Sequence, residues 1–361
     1  MKKKKVYHRT IKIKLFSTKK KQRQINAIIF AYRKAVNFYL TELQSNANAK
    51  LDGETLGKLT NSKLSERYKS DALKQAIGIF NSNFSKKQLR TKKQIVFNGY
   101  PTLDAKVMQI IENPFLKKYD LLIKLSTLSK GNPIYLPSKK TKLFNKWNNK
   151  GKLIQGCQLR ENYIYLFVEC ESKIKETGNS IGVDLGMRKL LSTSDNQFIG
   201  KDHNFYLNKI NRKKKNSIGY KKAVIEKNNF TNYCVNQLDL TNVNVLCYEN
   251  LKNLTKGKAG FRQNKKFRNK QQHWAYRKVI SRIIEKCQEN CVRPVYVNPR
   301  NTSRTCPSCK HVAESNRIGE LFCCLACGFK QDADFVGATN ILLNGTNWLR
   351  SLESLNNKSK S

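Results

Sequence analysis

The chain has 361 residues, enough for two or three domains with buried cores, and carries 70 Lys+Arg against 25 Asp+Glu. A formal net charge of +45 costs self-repulsion in a compact state and implies a polyanionic partner, with nucleic acid ahead of an anionic membrane surface. The 11 cysteines, an odd number without framework spacing, argue against a secreted disulfide scaffold and point to a reducing cytoplasm or nucleoid. No long apolar run suggests a membrane span, and Met1 to Lys5 lacks the apolar stretch of a secretory signal.

Tyr7 to Phe16 alternates, with Ile11, Ile13 and Leu15 on one side, and predicts a half-buried strand. Ser17-Thr18 offers an N-cap for a helix whose apolar face runs through Ile25, Ile28, Ile29, Tyr32, Val36, Tyr39, Leu40 and Leu43. Asn46 to Asp52 reads as a loop, and Gly53 to Lys93 as largely helical and basic. A further helical stretch is expected from Pro101 through Val107, Ile110, Ile111 and Phe115. Ile134 to Leu136 predicts a strand, and Leu153 to Leu159 with Tyr163 to Val168 a hairpin around Arg160-Glu161-Asn162. Residues 1–175 thus read as a β-rich platform with a helical insertion at about 17–125.

The pattern changes near Gly178. Ile181 to Asp184 is a short apolar strand, and Leu190 to Thr193 and Gln197 to Ile199 can return beside it. A long polar helix containing Asn211 to Asn216 follows, then a buried strand from Val243 to Tyr248 ending at Glu249. Gly257 to Asn269 reads as a flexible basic loop. Trp274, Val279, Ile280, Ile283, Ile284 and Cys287 line another helix, with Trp274 as a core anchor, and Val295 to Val297 is a last core strand. A three-strand meander followed by helix, strand, helix and strand is the order of a ribonuclease-H-like α/β domain, here 176–345. A final helix is expected from Asp334 to Leu343, stopped by Gly345, with a disordered tail at 346–361.

Cys306-Pro307-Ser308-Cys309 and Cys324-Leu325-Ala326-Cys327, fourteen residues apart, have the spacing of a structural zinc ribbon, at about 302–330. Cys323 competes with Cys324, but only Cys324 completes a Cys-x-x-Cys-Gly knuckle with Cys327 and Gly328. Asp184 ends the first strand of the α/β domain, Glu249 the fourth, and Asp334 opens the last helix. Two-metal phosphodiester hydrolysis needs hard oxygen ligands held together, so Asp184, Glu249 and Asp334 are the candidate catalytic residues and Mg²⁺ ligands, with two ions expected. Taken singly, each carboxylate is better explained as a turn or cap residue; the combination on so basic a chain reverses that. Asp332 competes for the third role and is read as a cap or outer partner.

Lys2–Lys5, Lys19–Lys21, Lys86–Lys93, Arg212–Lys215 and Lys265–Lys270, interleaved with Tyr32, Tyr39, Phe84 and Phe97, suit a channel for a nucleic-acid backbone. With only four His, no P-loop and no Ser-His-Asp arrangement, nucleotide hydrolysis and nucleophilic hydrolase chemistry lack support.

Ile181-Gly182-Val183-Asp184-Leu185-Gly186, Tyr248-Glu249-Asn250-Leu251, Thr302 to Cys309 and Asp332 to Leu342 resemble the split RuvC nuclease and zinc-ribbon motifs of TnpB proteins. These are RNA-guided nucleases of insertion sequences, similar to miniature type V CRISPR effectors. Ile11 to Phe16 with Gln24 and Tyr32-Arg33, and Thr127 to Pro137, resemble the family's opening segment and mid-platform more loosely. The resemblance implies a wedge platform with recognition helices at 1–175, gripping guide RNA and target double-stranded DNA. It also implies a RuvC site at Asp184, Glu249 and Asp334 using Mg²⁺, with Zn²⁺ in the ribbon and a cytoplasmic, nucleoid-associated protein. Base pairing would then read sequence while the protein reads backbone and shape. The chain departs from the pattern at Val336-Gly337, where many members carry Asn-Ala, and at Lys310, where Gly is frequent. A non-cleaving RNA-guided regulator, a zinc-ribbon RNA-binding protein and a structure-selective nuclease without a guide are the alternatives.

Overall fold

Local sequence periodicity becomes regular structure where a partner strand or helix covers the apolar positions. The computed structural model describes residues 6–45, 62–84, 94–112, 118–251, 273–274 and 276–358. The expected loop at 46–52, the flexible loop at 257–269 and the runs Lys2–Lys5, Lys86–Lys93 and Lys265–Lys270 lie outside the described residues. The chain divides into two compact units, Met1–Glu171 and Ser172–Ser361.

The first unit comprises β1 (Val6–Lys14), α1 (Lys19–Ser45), α2 (Glu66–Phe84), β2 (Thr102–Leu103), β3 (Met108–Glu112), β4 (Leu121–Leu125), β5 (Ile134–Ser138), α3 (Lys142–Asn148), β6 (Lys152–Leu159) and β7 (Tyr163–Glu171). One sheet runs β1-β7-β6-β2 and a second β3-β4-β5. In β1 the alternation places Ile11 opposite Leu166 and Ile13 opposite Ile164 of β7, all four buried. In α1 every predicted apolar position from Ile25 to Leu43 is buried, and α2 packs against it.

Two expectations fail here. The Pro101 to Phe115 segment is not helical within its described part: it forms β2 and β3. Ile110 pairs with Ile123 of β4, whose other edge pairs with Leu136 of β5. Strand pairing of β-branched residues outweighs the helical spacing of Val107, Ile110 and Ile111. Tyr32 and Tyr39 line no channel. Both are fully buried, and the Tyr32 hydroxyl donates to Gln75 Oε1 and the Thr102 carbonyl at 2.9 and 3.1 Å.

The second unit comprises β8 (Asn179–Leu185), β9 (Leu191–Thr193), β10 (Phe198–Ile199), α4 (His203–Asn211), α5 (Ile218–Gln237), β11 (Val243–Glu249), α6 (Tyr276–Glu289), β12 (Arg293–Val297), β13 (Arg317–Ile318), β14 (Leu321–Cys323), β15 (Lys330–Asp332) and α7 (Ala333–Lys358). Its main sheet has the order β10-β9-β8-β11-β12, antiparallel through β8 and parallel from β8 to β12. That is the ribonuclease-H-like order. Strands β13, β14 and β15 form a separate small sheet.

The expected long polar helix is two helices. Asn216 takes a left-handed φ of 67°, and the Ser217 hydroxyl accepts from the Tyr220 amide at 3.1 Å, starting α5 afresh. Arg212–Lys215 therefore lies in the connection. Helix α7 also overruns its predicted stop and reaches Lys358, so the tail expected at 346–361 is helical through its described residues. Gly345 is an interior helix position that lets α7 touch the sheet: a Cβ there would lie 2.2 Å from Cys247 Sγ. Gly182 acts likewise, since its Cβ would meet the Ala338 carbonyl at 2.0 Å. One sheet face, with Ile181 and Val183, packs with Val279 and Ile283 of α6; the other, with Cys247 and Val297, packs on Ile341 of α7. Each such fully buried aliphatic side chain contributes about 1.5–3 kcal/mol.

Candidate functional site

Parallel pairing of β8 with β11 aligns Val183 with Tyr248, so Asp184 and Glu249 follow side by side at the carboxyl ends of adjacent strands. Period two puts both on the sheet face that carries Gly182 and Cys247, the face under α7. Asp334 enters from the first turn of that helix and is buried. The close packing reaches the acid itself: a Cβ on Gly337 would lie 3.0 Å from Asp184 Oδ2. Gly337 thus leaves room for the Asp184 carboxylate, while its neighbour Val336 is fully buried against Cys306, Phe322 and Cys324 of the ribbon.

Asp184 feels the other two carboxylates. Burial, then the charges of Glu249 and Asp334, push the Asp184 carboxyl up to about 7, against the opposing Arg317 charge. Burial also raises Glu249, although the Thr302 hydroxyl donates to its Oε1 and Arg317 opposes the shift. Arg317, on β13, donates to Asp334 Oδ1 at 2.8 Å. Lys189, in the loop after β8, bonds Asp332 Oδ2 at 2.5 Å and stands 3.8 Å from Asp334 Oδ2. Asp332 caps α7: its Oδ1 accepts from the Asp334 and Phe335 amides at 3.0 and 3.2 Å. Burial alone would raise the Asp332 carboxyl, but Lys189 and the helix amides outweigh it and hold it low. The Trp274 indole donates to the Gly186 carbonyl at 3.1 Å and fixes the loop that carries Lys189.

The donor set fits a hard divalent cation. Asp184, raised by burial and by the charges of Glu249 and Asp334, is stabilised by positive charge placed among these oxygens. Among the described residues, only the four cysteines have all their candidate ligand atoms within 4.8 Å of one another. The carboxylates form a looser group, with Arg317 and Lys189 on Asp334.

Cys306, Cys309, Cys324 and Cys327 sit on two matching knuckles. Lys310 N donates to the Cys306 carbonyl at 3.0 Å, and Gly328 N to the Cys324 carbonyl at 2.9 Å. Cys306 and Cys327 sulfurs lie 3.7 Å apart, Cys309 and Cys324 sulfurs 3.5 Å. A tetrahedral zinc with Zn–S bonds of about 2.3 Å separates its sulfurs by about 3.8 Å, so the quartet fits the ion. Cys323 lies outside this quartet on β14. Both knuckles end in a left-handed residue, Lys310 at φ 64° and Gly328 at φ 73°. Lysine there costs about 1 kcal/mol that glycine avoids. Lys310→Gly is therefore expected to stabilise the zinc-loaded protein by about 0.5–1 kcal/mol, read from thermal melting. An unchanged or lower melting temperature would place no strain at that turn.

Arg317, Lys189 and Gly337 carry no local sequence signal that assigns them to the site, and Thr302 stands out only as part of a motif. Each acts through a fold contact that no local spacing encodes. Lys189 lies 143 residues from the Asp332 it meets, and Arg317 reaches Asp334 only through the turn of the small sheet.

Known proteins align with these parts of the chain. A sequence model described as Cas12f1-like, TNB domain, matches residues 276–341. The CRISPR-associated endodeoxyribonuclease Cas12f1 of Sulfoacidibacillus thermotolerans is 36% identical over 73 residues, a stretch that makes up 20% of this chain and 17% of that protein. The structure of a Cas12f1–sgRNA–target DNA complex superposes with a TM-score of 0.53 at 14% identity, over 89% of this chain and 81% of that one. CasPhi-2 (Cas12j) bound to crRNA gives 0.61 at 10% identity, over 94% and 98%. At these identities the likeness is one of fold, and the fold is one that this chain shares with miniature type V effectors of the Cas12f and Cas12j kinds.

Proposed function

We propose that this chain is an RNA-guided DNA endonuclease of the TnpB type, cutting phosphodiester bonds at Asp184, Glu249 and Asp334. The observation that carries the reading is the convergence of these acids at the ends of β8 and β11 and the start of α7, with Asp184 raised to about 7. In a chain of net charge +45, three carboxylates gathered at one end of a sheet suit cation binding. The match to an endodeoxyribonuclease over part of the chain and the shared fold with guide-bound effectors support the same reading.

Asp184, Glu249 and Asp334 would hold Mg²⁺, in a pair of ions, and Cys306, Cys309, Cys324 and Cys327 would hold Zn²⁺. Bound Mg²⁺ supplies an activated water and neutralises charge on the leaving oxygen. The chain's own groups prepare that chemistry. Thr302 fixes the Glu249 carboxylate by its hydroxyl, and Asp332 anchors the α7 terminus and draws Lys189 to it. Arg317 brings a guanidinium to the acids from the ribbon side, where it can also meet a phosphate oxygen. The first unit would bind guide RNA and target DNA, its wedge and recognition roles falling to the β1–β7 sheet and to α1 and α2. Among the described residues no helix is long and apolar enough to cross a membrane. The cysteines form no disulfide, which suits a reducing, nucleoid-associated setting.

The test is to purify the protein from cells that express its native locus, sequence the bound RNA, and assay the complex on matched DNA with and without Mg²⁺. One discrete RNA and Mg²⁺-dependent cutting of DNA that matches it are expected. A discrete RNA without cutting would favour a non-cleaving regulator. RNA of no defined sequence would remove the guided reading.

A further inference from the structure

Helices α4 and α5 pack side by side with His203, Leu207 and Ile210 of one and Ala223, Cys234 and Val235 of the other turned inward. Their outward seam is aromatic. Phe205 and Tyr233 are 60% and 59% exposed at the sides of a cleft of about 430 Å³. Its floor is the stacked pair Tyr206 and Phe230, with ring centroids 4.5 Å apart and planes at 26°. Phe205 meets Tyr206 edge-on at 5.4 Å, and the Lys209–Glu226 ion pair, at 2.6 Å, forms the polar wall. Open rings beside a stacked pair form an apolar patch that a ligand would stabilise by covering it.

The surroundings select that ligand. Residues 201–237 carry nine Lys or Arg against two acids, Asp202 and Glu226. Seven of the nine are exposed, including Arg212 to Lys215 in the connection between the helices. A second copy of this chain would bring the same positive field and be repelled. A polyanion with exposed flat rings satisfies both the charge and the aromatic faces. We propose that the α4–α5 seam is a stacking platform for single-stranded nucleic acid. Unpaired bases lie against Phe205 and Tyr233, and the phosphates on either side meet the lysines of the same segment. A duplex cannot use the platform, because its base faces are already stacked on each other. The proposal rests on the nucleic-acid reading above but not on cleavage.

Short DNA and RNA oligonucleotides containing 5-iodouracil would be photocrosslinked to the full-length protein in Mg²⁺-free buffer, and the attached peptides sequenced. Crosslinks at Phe205, Tyr206 or Tyr233 are expected. A Phe205→Ala/Tyr233→Ala double variant should lose them and bind about tenfold more weakly. Its slope of log affinity against log salt should be unchanged, because no phosphate contact is removed. Crosslinking by DNA or by RNA supports the platform and identifies which strand it takes. Binding with crosslinks confined elsewhere would reject the platform and leave the nucleic-acid reading intact. No binding of either oligonucleotide would reject both. A double variant that alters only sedimentation would make the seam an interface between copies instead. Should that variant fail to fold, the crosslink map of the unaltered protein decides alone.

Discussion

Asp184→Asn is expected to abolish DNA cleavage, leave RNA binding nearly intact, and raise the melting temperature of the metal-free protein at pH 8. The cleavage loss follows from removing a ligand charge, on the order of a thousand-fold for several kcal/mol of transition-state stabilisation. The stability gain follows from the raised carboxyl. The Asp184 pKa is about 7 in the fold against 3.8 as its reference, so its contribution is fully present below about pH 4 and lost as pH rises towards 7. Above that range the folded protein holds an ionised group beside Glu249 and Asp334. Asparagine keeps the shape without the charge and should recover about 1–3 kcal/mol, reduced by the solvent contact that the side chain retains. Mg²⁺ should stabilise the natural protein more than the variant, because binding to the folded state alone adds to its stability. Melting curves at pH 5 and pH 8, with and without Mg²⁺, test this directly. A variant less stable than the parent at pH 8 without metal would make Asp184 a structural residue.

Cys306→Ser, or stripping zinc from the intact protein, is expected to disable the carboxylate site although no cysteine is placed in it. Cys306 and Cys324 form one buried cluster with Phe322, Ala333 and Val336, and the last two belong to the first turns of α7. The Ala333 amide donates to the Glu320 carbonyl at 2.8 Å, and Arg317 of the same small sheet holds Asp334. A segment this short has little core of its own, so a bound zinc would supply much of its folding free energy. Loss of zinc should cost several kcal/mol of local stability. Cleavage should fall by about 100-fold or more, as when partners that orient metal ligands are removed. Metal analysis combined with cleavage assays distinguishes the outcomes. Full zinc content in Cys306→Ser would remove that residue from the quartet. Normal cleavage by zinc-free protein would uncouple the ribbon from the site.

The legible parts of the molecule were those in which local pattern and tertiary partner agree. Ile11 and Ile13 alternate and find a strand; Ile25 to Leu43 repeat with helical period and find α2. The placement of Asp184 and Glu249 at neighbouring strand ends was legible because the order of elements brings β8 beside β11. Failures came where a distant partner decided. Ile110 and Ile111 have helical neighbours in sequence but pair with β4. Gly345 reads as a stop until Cys247 is seen pressed against it. Tyr32 and Tyr39 share a helical face with aliphatic residues, and that face is core. The aromatic seam went unread because Phe205 and Tyr206 meet Phe230 and Tyr233 only when the expected single helix breaks at Asn216 and folds back.

Thr302 has a consequence for how the second unit opens. Its hydroxyl holds Glu249, its carbonyl and that of Thr305 accept from the Asn340 side chain of α7 at 2.8 and 2.7 Å, and Cys306 directly follows Thr305. A strand end, a helix and a metal knuckle are thereby fastened at one short segment. They should exchange amide hydrogens as a single cooperative block, with the end of β11, the start of α7 and the knuckle sharing one opening energy. Disturbing any one of them should be felt as faster exchange in the other two, while α5, which shares none of these bonds, keeps its own rate.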